Sequence, residues 1–529
     1  MLYRFAGIEL DCARRELRVG ERQVPLQPLS FAVLQYLVER RERVVSKAEL
    51  LGELWSGVRV GEASLQRAIS LVRSAINDDG SIIVTHSKHG YRFRAEVSVV
   101  SAAPAAGPEP AHFVPRFARS DDVFIAYHTL GEGALDIVLV PGWVFPMQAY
   151  FELPAMRQAV ESLAQLGRVI LFDKRGTGLS DRAQLMAPLE QRVDDLRAVL
   201  DAVGSKSAVL IGFSEAGPLC LLFASLFPER TRGLILAATY ARFAAAYGYP
   251  HGWSAEAIAE VRRYIESSWG KGDTLLWGLH SHSGDPSAKV WAARAEQTGA
   301  SPGAALQLLE ALEQIDVRPL LASVTVPTVV VHAAGDRVIS VENARYLAAQ
   351  IAGARLIEVA GEDHFFVGAR AVCLSDAVAW VSSQPHAAEE RFLTSVLALA
   401  PLEPGAGASE LLRLDAIAAQ HRGARAGRAL VWSFDGPQRA IRCGQELARS
   451  IAGRVGVHTG EVSGARGAFV GAAVDVACAI AASAAPGQVL VSTVVRDLVY
   501  ASHLAFAEHG SLPLPDGRSL GVLVANYAA

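Results

Sequence analysis

The 529-residue chain has few cysteines and none at metal-binding intervals: Cys12, Cys220, Cys373, Cys443 and Cys478 lie far apart. An odd, dispersed set excludes a disulfide framework and suits a reducing compartment. Long apolar runs are lacking too, so no membrane-spanning helix and no membrane partner are expected. The opening MLYRFAGIEL has no basic stretch followed by an apolar one, so no signal peptide is read and a cytoplasmic protein is expected. Charge of one sign is also scarce. Lys and Arg total 50 against 54 for Asp and Glu, a formal net charge of -4. Any surface for nucleic acid must therefore be local rather than a property of the whole chain.

The length exceeds what one core fills, so several domains are expected. The segment SVVSAAPAAGPEPAHFVP is rich in Ala and Pro with almost no charge, and reads as a linker over 98–117. A second break lies at SSQPHAAEER, around Pro385, and LEPGAGASE reads as a loop beyond it. The expected domains are thus 1–97, 118–385 and 386–529, with no internal repeat.

In the first block, YRFAGIELD, RELRVG and RQVPLQ read as short strands and LSFAVLQYLVERR as a helix. Ser46 followed by Glu49 is a capping box opening a second helix. In SLQRAISLVRSAIN, Leu65, Ile69, Val72 and Ile76 fall on one face, and Gln66, Ser70, Arg73 and Asn77 opposite, with Arg67 and Ser74 beside them. IIVTHSKHGYRFRAE reads as a β-hairpin turning at Ser87-Lys88-His89-Gly90. Three helices and a hairpin in that order describe a winged helix. VVSKAELLGELW, SLVRSAI and THSKHGYRF resemble the effector domain of OmpR/PhoB-type transcription regulators. The resemblance implies a partner, double-stranded DNA, faced by Gln66, Arg67, Ser70 and Arg73 from the third helix and by Lys88, His89 and Arg92 from the wing. The side-chain chemistry agrees: Arg suits guanine, Gln adenine and Lys phosphate. A mildly basic single copy binds weakly, so two copies on adjacent half-sites are expected.

The middle block alternates strand runs (DIVLVPG, RVILFDKRGTGLSD, SAVLIGFSEAGPL, RGLILAAT, VPTVVVHAAGD, ARLIEVAGEDH) with helical patterns, which argues for a mostly parallel α/β sheet. GFSEA at a strand-to-helix turn resembles the nucleophile elbow of α/β-hydrolases, with Ala216 where the usual pattern has Gly. Asp336 and His364 each follow a later strand, in that family's chain order. The roles implied are Ser214 as nucleophile, His364 as its base and Asp336 as the group that orients His364. Backbone N–H groups of Trp143 and Glu215 would form the oxyanion hole. The glycines of KRGTGLSD invite a phosphate-loop reading, but no P-loop lysine follows them. Residues 240–320 depart from the alternation and read as a helical lid. Its aromatics, Tyr247, Trp253, Trp269 and Trp277, together with Trp143, either line a ligand pocket or pack the lid's own core. His251, His280 and His282 have no carboxylate or Cys partner at ligand spacing, so no metal is expected; no cofactor is expected either.

In the last block, GRALVWSFDGPQRAIRCGQELA, VGVHTGEV and APGQVLVS look like a class III adenylate/guanylate cyclase domain, an α+β fold. The resemblance implies two metal-holding aspartates, at whose places stand Ala400 and Arg428, and a transition-state Asn and Arg, replaced by Asp475 and Ala479. No cyclase activity is expected, and the block reads as a scaffold that pairs two chains into a homodimer. The combined reading is a one-component transcription regulator that senses an ester, lactone or other apolar or aromatic carbonyl compound. The alternative is an active serine esterase or lactonase with an accessory DNA-binding domain.

Overall fold

The computed structural model describes residues 2–527 except 13–15, 21, 27, 55–61, 88, 101–112, 183–186, 386–390, 401–407, 427–429, 466, 500–503 and 515–518. The chain folds as two compact units, Met1–His112 and Phe113–Ala529. Among the described residues no helix is long and apolar enough to cross a membrane.

YRFAGIELD forms two strands, β1 (Leu2–Phe5) and β2 (Ile8–Asp11), paired antiparallel with Phe5 opposite Ile8. Between them Ala6 and Gly7 take φ of 46° and 74°, the left-handed pair that a two-residue hairpin turn needs. β3 (Glu16–Val19) and β4 (Arg22–Val24) extend this sheet. Then come α1 (Pro28–Glu39), β5 (Val45–Ser46), α2 (Lys47–Leu54) and α3 (Glu62–Ala75). A hairpin, β6 (Ile83–His86) and β7 (Gly90–Phe93), closes a small sheet with β5. Leu65, Ile69, Val72 and Ile76 are at most 3% exposed and share one core with Leu34, Leu37 and Phe93. Only half of the expected capping box forms. The Ser46 hydroxyl accepts the Glu49 N–H (3.1 Å), but the Glu49 carboxylate turns to Arg43 (2.8 Å) and Tyr36 (3.0 Å).

The expected linker is shorter at both ends. Ser98–Val100 forms β8, antiparallel to β1, and Arg116–Ser120 forms β9 of the next sheet. Neither run is long enough to declare itself in sequence. Ser98–Val100 becomes a strand because the distant edge of β1 offers it hydrogen-bond partners, and Arg116–Ser120 because it turns back in a tight hairpin onto the strand that follows it.

In the second unit β10 (Val123–Leu130) pairs with β9, followed by β11 (Asp136–Val140), α4 (Ala149–Glu152), α5 (Pro154–Ala164), β12 (Arg168–Phe172), α6 (Leu189–Ala202), β13 (Ala208–Phe213), α7 (Gly217–Leu226) and β14 (Thr231–Ala237). Residues 240–320 contribute α8 (Ala255–Ser268), α9 (Asp273–Trp277), α10 (Pro286–Gly299) and α11 (Pro302–Gln314). β15 (Thr328–Ala333), α12 (Val341–Gln350), β16 (Arg355–Val359) and α13 (Val372–Ser383) complete the layer. The strand order is β16-β15-β14-β13-β11-β12-β10-β9, parallel from β16 to β12 and antiparallel beyond. β11, β13 and β15 are buried at every position, as parallel strands covered on both faces must be. α6 and α7 pack on one face, α5 and α13 on the other.

The last block holds β17 (Arg391–Ala400), α14 (Ala408–Gln420), β18 (Ala424–Arg425), β19 (Val431–Phe434), α15 (Pro437–Ile451), β20 (Arg454–Ala465), β21 (Ala468–Val470), α16 (Ala472–Ser483), β22 (Val489–Ser492), α17 (Thr493–Leu498), β23 (Leu504–Pro513) and β24 (Ser519–Tyr527). Its mixed sheet runs β18-β19-β17-β20-β22-β24-β23. The break near Pro385 does not separate compact units. Leu393 and Leu498 enter the core beneath α6 and α7. On α6, the Glu190 carboxylate accepts the Gln438 N–H (3.0 Å), Arg197 pairs with Asp435 (2.9 Å), and Asp194 pairs with Arg439 and Arg422. LEPGAGASE, apart from its last three residues, which open α14, and Arg428 lie outside the described residues.

Candidate functional site

β13 ends at Phe213 and α7 begins at Gly217, so Ser214 occupies a sharp strand-to-helix turn with φ of 54°. That left-handed conformation is costly for a non-glycine residue and persists only where neighbours hold it. Here the Ser214 carbonyl accepts hydrogen bonds from the Gly217 N–H and the Thr239 hydroxyl. The close packing demands small residues. A Cβ on Gly142 would lie 2.8 Å from the Ser214 Cβ, and one on Gly212 would lie 2.9 Å from the Cys220 Sγ. Ala216, the departure from the usual glycine, is fully buried with φ of −81°, so its methyl is accommodated without strain.

Asp336 follows β15 and His364 follows β16. The His364 Nδ1–H donates to Asp336 Oδ2 at 2.7 Å, which leaves Nε2 unprotonated in the neutral ring. Asp336 Oδ1 accepts N–H bonds from Val338 (2.8 Å) and Ile339 (3.1 Å). His332, wholly buried, donates from Nε2 to the Ile339 carbonyl (2.8 Å) and lies 3.3 Å from Asp336 Oδ2. Burial alone would raise the Asp336 pKa. The charge of His364 and the hydrogen bonds from His332 and His364 outweigh it and hold the carboxyl well below its usual range. His364 Nε2 is buried without a hydrogen-bond partner, and its ring lies against Phe213 with centroids 4.8 Å apart. The lid fixes this loop: the Gly278 carbonyl accepts both the His364 N–H (2.9 Å) and the Phe365 N–H (3.1 Å).

Ser214 and His364 line one cavity of about 100 Å³ with Trp143, Trp253 and Trp277. Its remaining walls are mainly aliphatic and aromatic, including Phe213, Tyr240, Phe243 and Phe365. An apolar cavity of this size suits a ring or a short acyl group. A wider cleft beside it shares Trp253, Val261, Trp277 and Val338 as wall. Two expected pocket residues are corrected. Tyr247 points wholly into solvent, because its segment, Ala246–Tyr249, turns back on itself in a tight loop. Trp269 donates its indole N–H to the Ala300 carbonyl (2.9 Å) and packs between lid helices, outside the cavity. Density of aromatics in sequence marked the lid correctly but not which rings face inward. Phe213 and Phe365, which sequence reasoning missed, are the immediate neighbours of Ser214 and His364, and that adjacency was the available signal.

Beneath the elbow lies a cluster of buried charge. Arg175 grips Asp195 with two 2.6 Å hydrogen bonds. Glu215 pairs with Lys174 and, at 3.5 Å, with Arg192. Lys174 also donates to the Trp143 carbonyl at 2.6 Å. Burial and then the Arg192 charge pull the Lys174 ammonium well below its ordinary pKa, while Asp173 opposes them. Burial pushes the Asp173 carboxyl up to about 6, against N–H bonds from Leu179 and Met147. Among the described residues no group of three His, Cys, Asp or Glu side chains is arranged to hold a metal ion.

In the first unit, Gln66, Arg67 and Ser70 are exposed along α3, beside a half-exposed Leu71. His89 is exposed at the hairpin turn and Arg92 is half-buried on β7; Lys88 lies outside the described residues. Arg73 is corrected. Its guanidinium turns back to the Ile83 carbonyl and the Thr85 hydroxyl (2.9 Å), and lies 3.7 Å from Asp78. Asp78 in turn accepts the N–H groups of Gly80, Ile82 and Ile83. Helical periodicity put Arg73 on the polar face, but the hairpin folds over that end of α3 and takes it as a brace.

Comparison with known proteins agrees with this division. Residues 138–368 match the α/β hydrolase fold family, and residues 20–93 match the family of transcriptional regulatory proteins, C terminal. A pimeloyl-[acyl-carrier protein] methyl ester esterase of Neisseria meningitidis is 30% identical over 176 residues, 32% of this chain and 68% of the esterase. The transcriptional regulator HilA of Salmonella typhi is 39% identical over 93 residues, 17% of this chain and 16% of that regulator. An esterase structure from Exiguobacterium antarcticum covers 51% of this chain and 100% of its own at 24% identity, with a TM-score of 0.46. The chain thus belongs to the α/β-hydrolase family and carries, ahead of the hydrolase domain, a DNA-binding domain of the OmpR/PhoB type.

Proposed function

We propose that this protein is a one-component transcription regulator whose hydrolase domain receives a small apolar or aromatic carbonyl compound, an ester or lactone, at Ser214. One observation carries the reading: an exposed polar face on α3 and an apolar, serine-containing cavity occur on the same chain. In this reading Gln66, Arg67, Ser70, His89 and Arg92 face DNA. The last block, with Ala400 ending β17 where a cyclase would need an aspartate, serves as a scaffold that pairs two chains. A ligand changes DNA binding only if it binds two arrangements of the protein with different affinity.

A second reading is favoured by the geometry around Asp336. A histidine held in the correct tautomer by a buried carboxylate, beside a serine in a strained elbow, is the arrangement that activates a hydroxyl for acyl transfer. The curated relatives over the hydrolase domain include methyl ester esterases. In this reading Ser214 attacks the carbonyl, His364 takes its proton, Asp336 stabilises the imidazolium, and the Trp143 and Glu215 N–H groups meet the oxyanion. Turnover of the ligand would end the signal.

Electrophoretic mobility shift with DNA upstream of its own gene, with and without small esters and lactones, tests the first reading. A specific shift that a ligand alters in wild type but not in Ser214→Ala is expected. No specific shift, with rapid ester turnover by a single subunit, would leave only the second reading standing. A fluorophosphonate probe tests that one: labelling in wild type and none in Ser214→Ala is expected.

A further inference from the structure

KRGTGLSD, set aside as a phosphate loop, places a lysine where a structural turn has no use for one. Lys174 follows β12, is 4% exposed, and ends between two other loops. One is the loop after β11, whose Trp143 carbonyl accepts its proton at 2.6 Å. The other is the elbow after β13, whose Glu215 carboxylate pairs with it. β11 lies between β12 and β13 in the sheet, so Lys174 reaches from the end of β12 past that of β11 to the elbow after β13, and ties those two loops together. Those loops carry the two backbone N–H groups, of Trp143 and Glu215, that a tetrahedral oxyanion at Ser214 would meet.

We infer that Lys174 is a positioning residue for the oxyanion hole, setting the spacing and aim of its two donors. The inference rests on the reading of Ser214 as a nucleophile. Trp143 is held at φ of 38°, a conformation an L-residue keeps only under restraint. Pinning its carbonyl fixes the peptide plane on one side of that residue, and the N–H on the other side follows. Glu215 is pinned from two directions, by Lys174 and by Arg192 of α6. Its side chain is 3% exposed and its backbone N–H is thereby anchored at the start of the turn. A donor displaced by a fraction of an ångström binds the ground-state carbonyl nearly as before but stabilises the oxyanion poorly, so the loss falls on kcat.

The test compares wild type, Lys174→Met, Lys174→Arg and the double variant Lys174→Met/Glu215→Gln as full-length chains. p-Nitrophenyl butyrate gives kcat and KM, phenylboronic acid serves as a tetrahedral analogue, and thermal denaturation reports folding. Lys174→Met is expected to lower kcat about 100-fold, the scale of losing one oxyanion donor, with KM changed less than about threefold. The boronate inhibition constant should rise in parallel with the loss of kcat, and Lys174→Arg should recover part of it. The double variant removes the Lys174–Glu215 charge pair together, so no carboxylate is left short of that cation, and Arg192 keeps an amide oxygen as partner in place of the carboxylate. Should Lys174→Met not fold, the double variant decides. A kcat that stays low supports the inference; a return to wild-type kcat shows that Lys174 only neutralises Glu215 and overturns it. A Lys174→Met kcat within about threefold of wild type overturns it as well. A wild type that neither hydrolyses the ester nor takes fluorophosphonate at Ser214 removes the nucleophile reading, and this inference with it.

Discussion

The two surfaces that this chain offers to other molecules are built in opposite ways. On α3 the candidate DNA contacts Gln66, Arg67 and Ser70 end in solvent, and the core beneath them is made of Leu65, Ile69, Val72 and Ile76 on the other face. Around Ser214 the groups that matter are already bonded to one another. Asp336 accepts from Val338, Ile339 and His364, and Lys174 joins Trp143 to Glu215. A solvated face can be altered one side chain at a time at little cost to the fold. A site whose polar groups are buried in a shared network cannot, because each removal leaves a partner unsatisfied. The chain thus carries a solvated polar helix face in one unit and a buried, mutually bonded network around a serine in the other.

The largest effect is expected at Asp336. Asp336→Asn keeps the shape but offers an amide where His364 needs an acceptor, so the ring loses its tautomer. If the site turns over esters, kcat should fall by about 10⁴-fold, read with p-nitrophenyl butyrate, while affinity for promoter DNA stays at the wild-type value. An equal loss of DNA binding would show that the two surfaces are not separable.

A smaller effect is expected on α3 of the first unit. Arg67→Ala is expected to weaken promoter binding by about 1–3 kcal/mol if Arg67 reads a base, or to lower the salt dependence by about one counterion if it meets phosphate. The melting temperature of the domain should not move. Arg73→Ala should do the reverse. It removes hydrogen bonds to the Ile83 carbonyl and Thr85 and exposes the Asp78 knot, a cost of about 1.5–3 kcal/mol for bonds made by a charged group. Any loss of DNA affinity should then follow from the loosened hairpin.

Arg73 also shows how far sequence reached. Periodicity distinguishes the two faces of α3, and chain order with strand ends locates Ser214, Asp336 and His364, because both signals are local or reside in residue identity. What folds over a face is a long-range fact. Arg73, Lys174 and the strand Ser98–Val100 each take their role from a segment brought close only by the tertiary structure. The buried lysine was the least legible of these, since a lysine in a glycine-rich turn ordinarily ends in water.

The smallest effects decide which aromatics belong to the cavity. Trp253 forms part of its wall, stacks on Phe243 with centroids 5.3 Å apart, and donates its indole N–H to the Val338 carbonyl at 2.7 Å. Val338 itself donates to Asp336, so this ring touches both the ligand space and the loop that orients His364. Trp253→Ala should therefore raise KM about tenfold, about 1.4 kcal/mol of lost apolar contact, with a smaller fall in kcat as the loop relaxes. Tyr247 carries the same expectation from sequence, but its side chain lies wholly in solvent. Tyr247→Ala should change neither KM nor stability by more than about 0.5 kcal/mol. A Tyr247→Ala variant with the tenfold KM effect would mean that the lid closes over bound ligand and brings this ring inward.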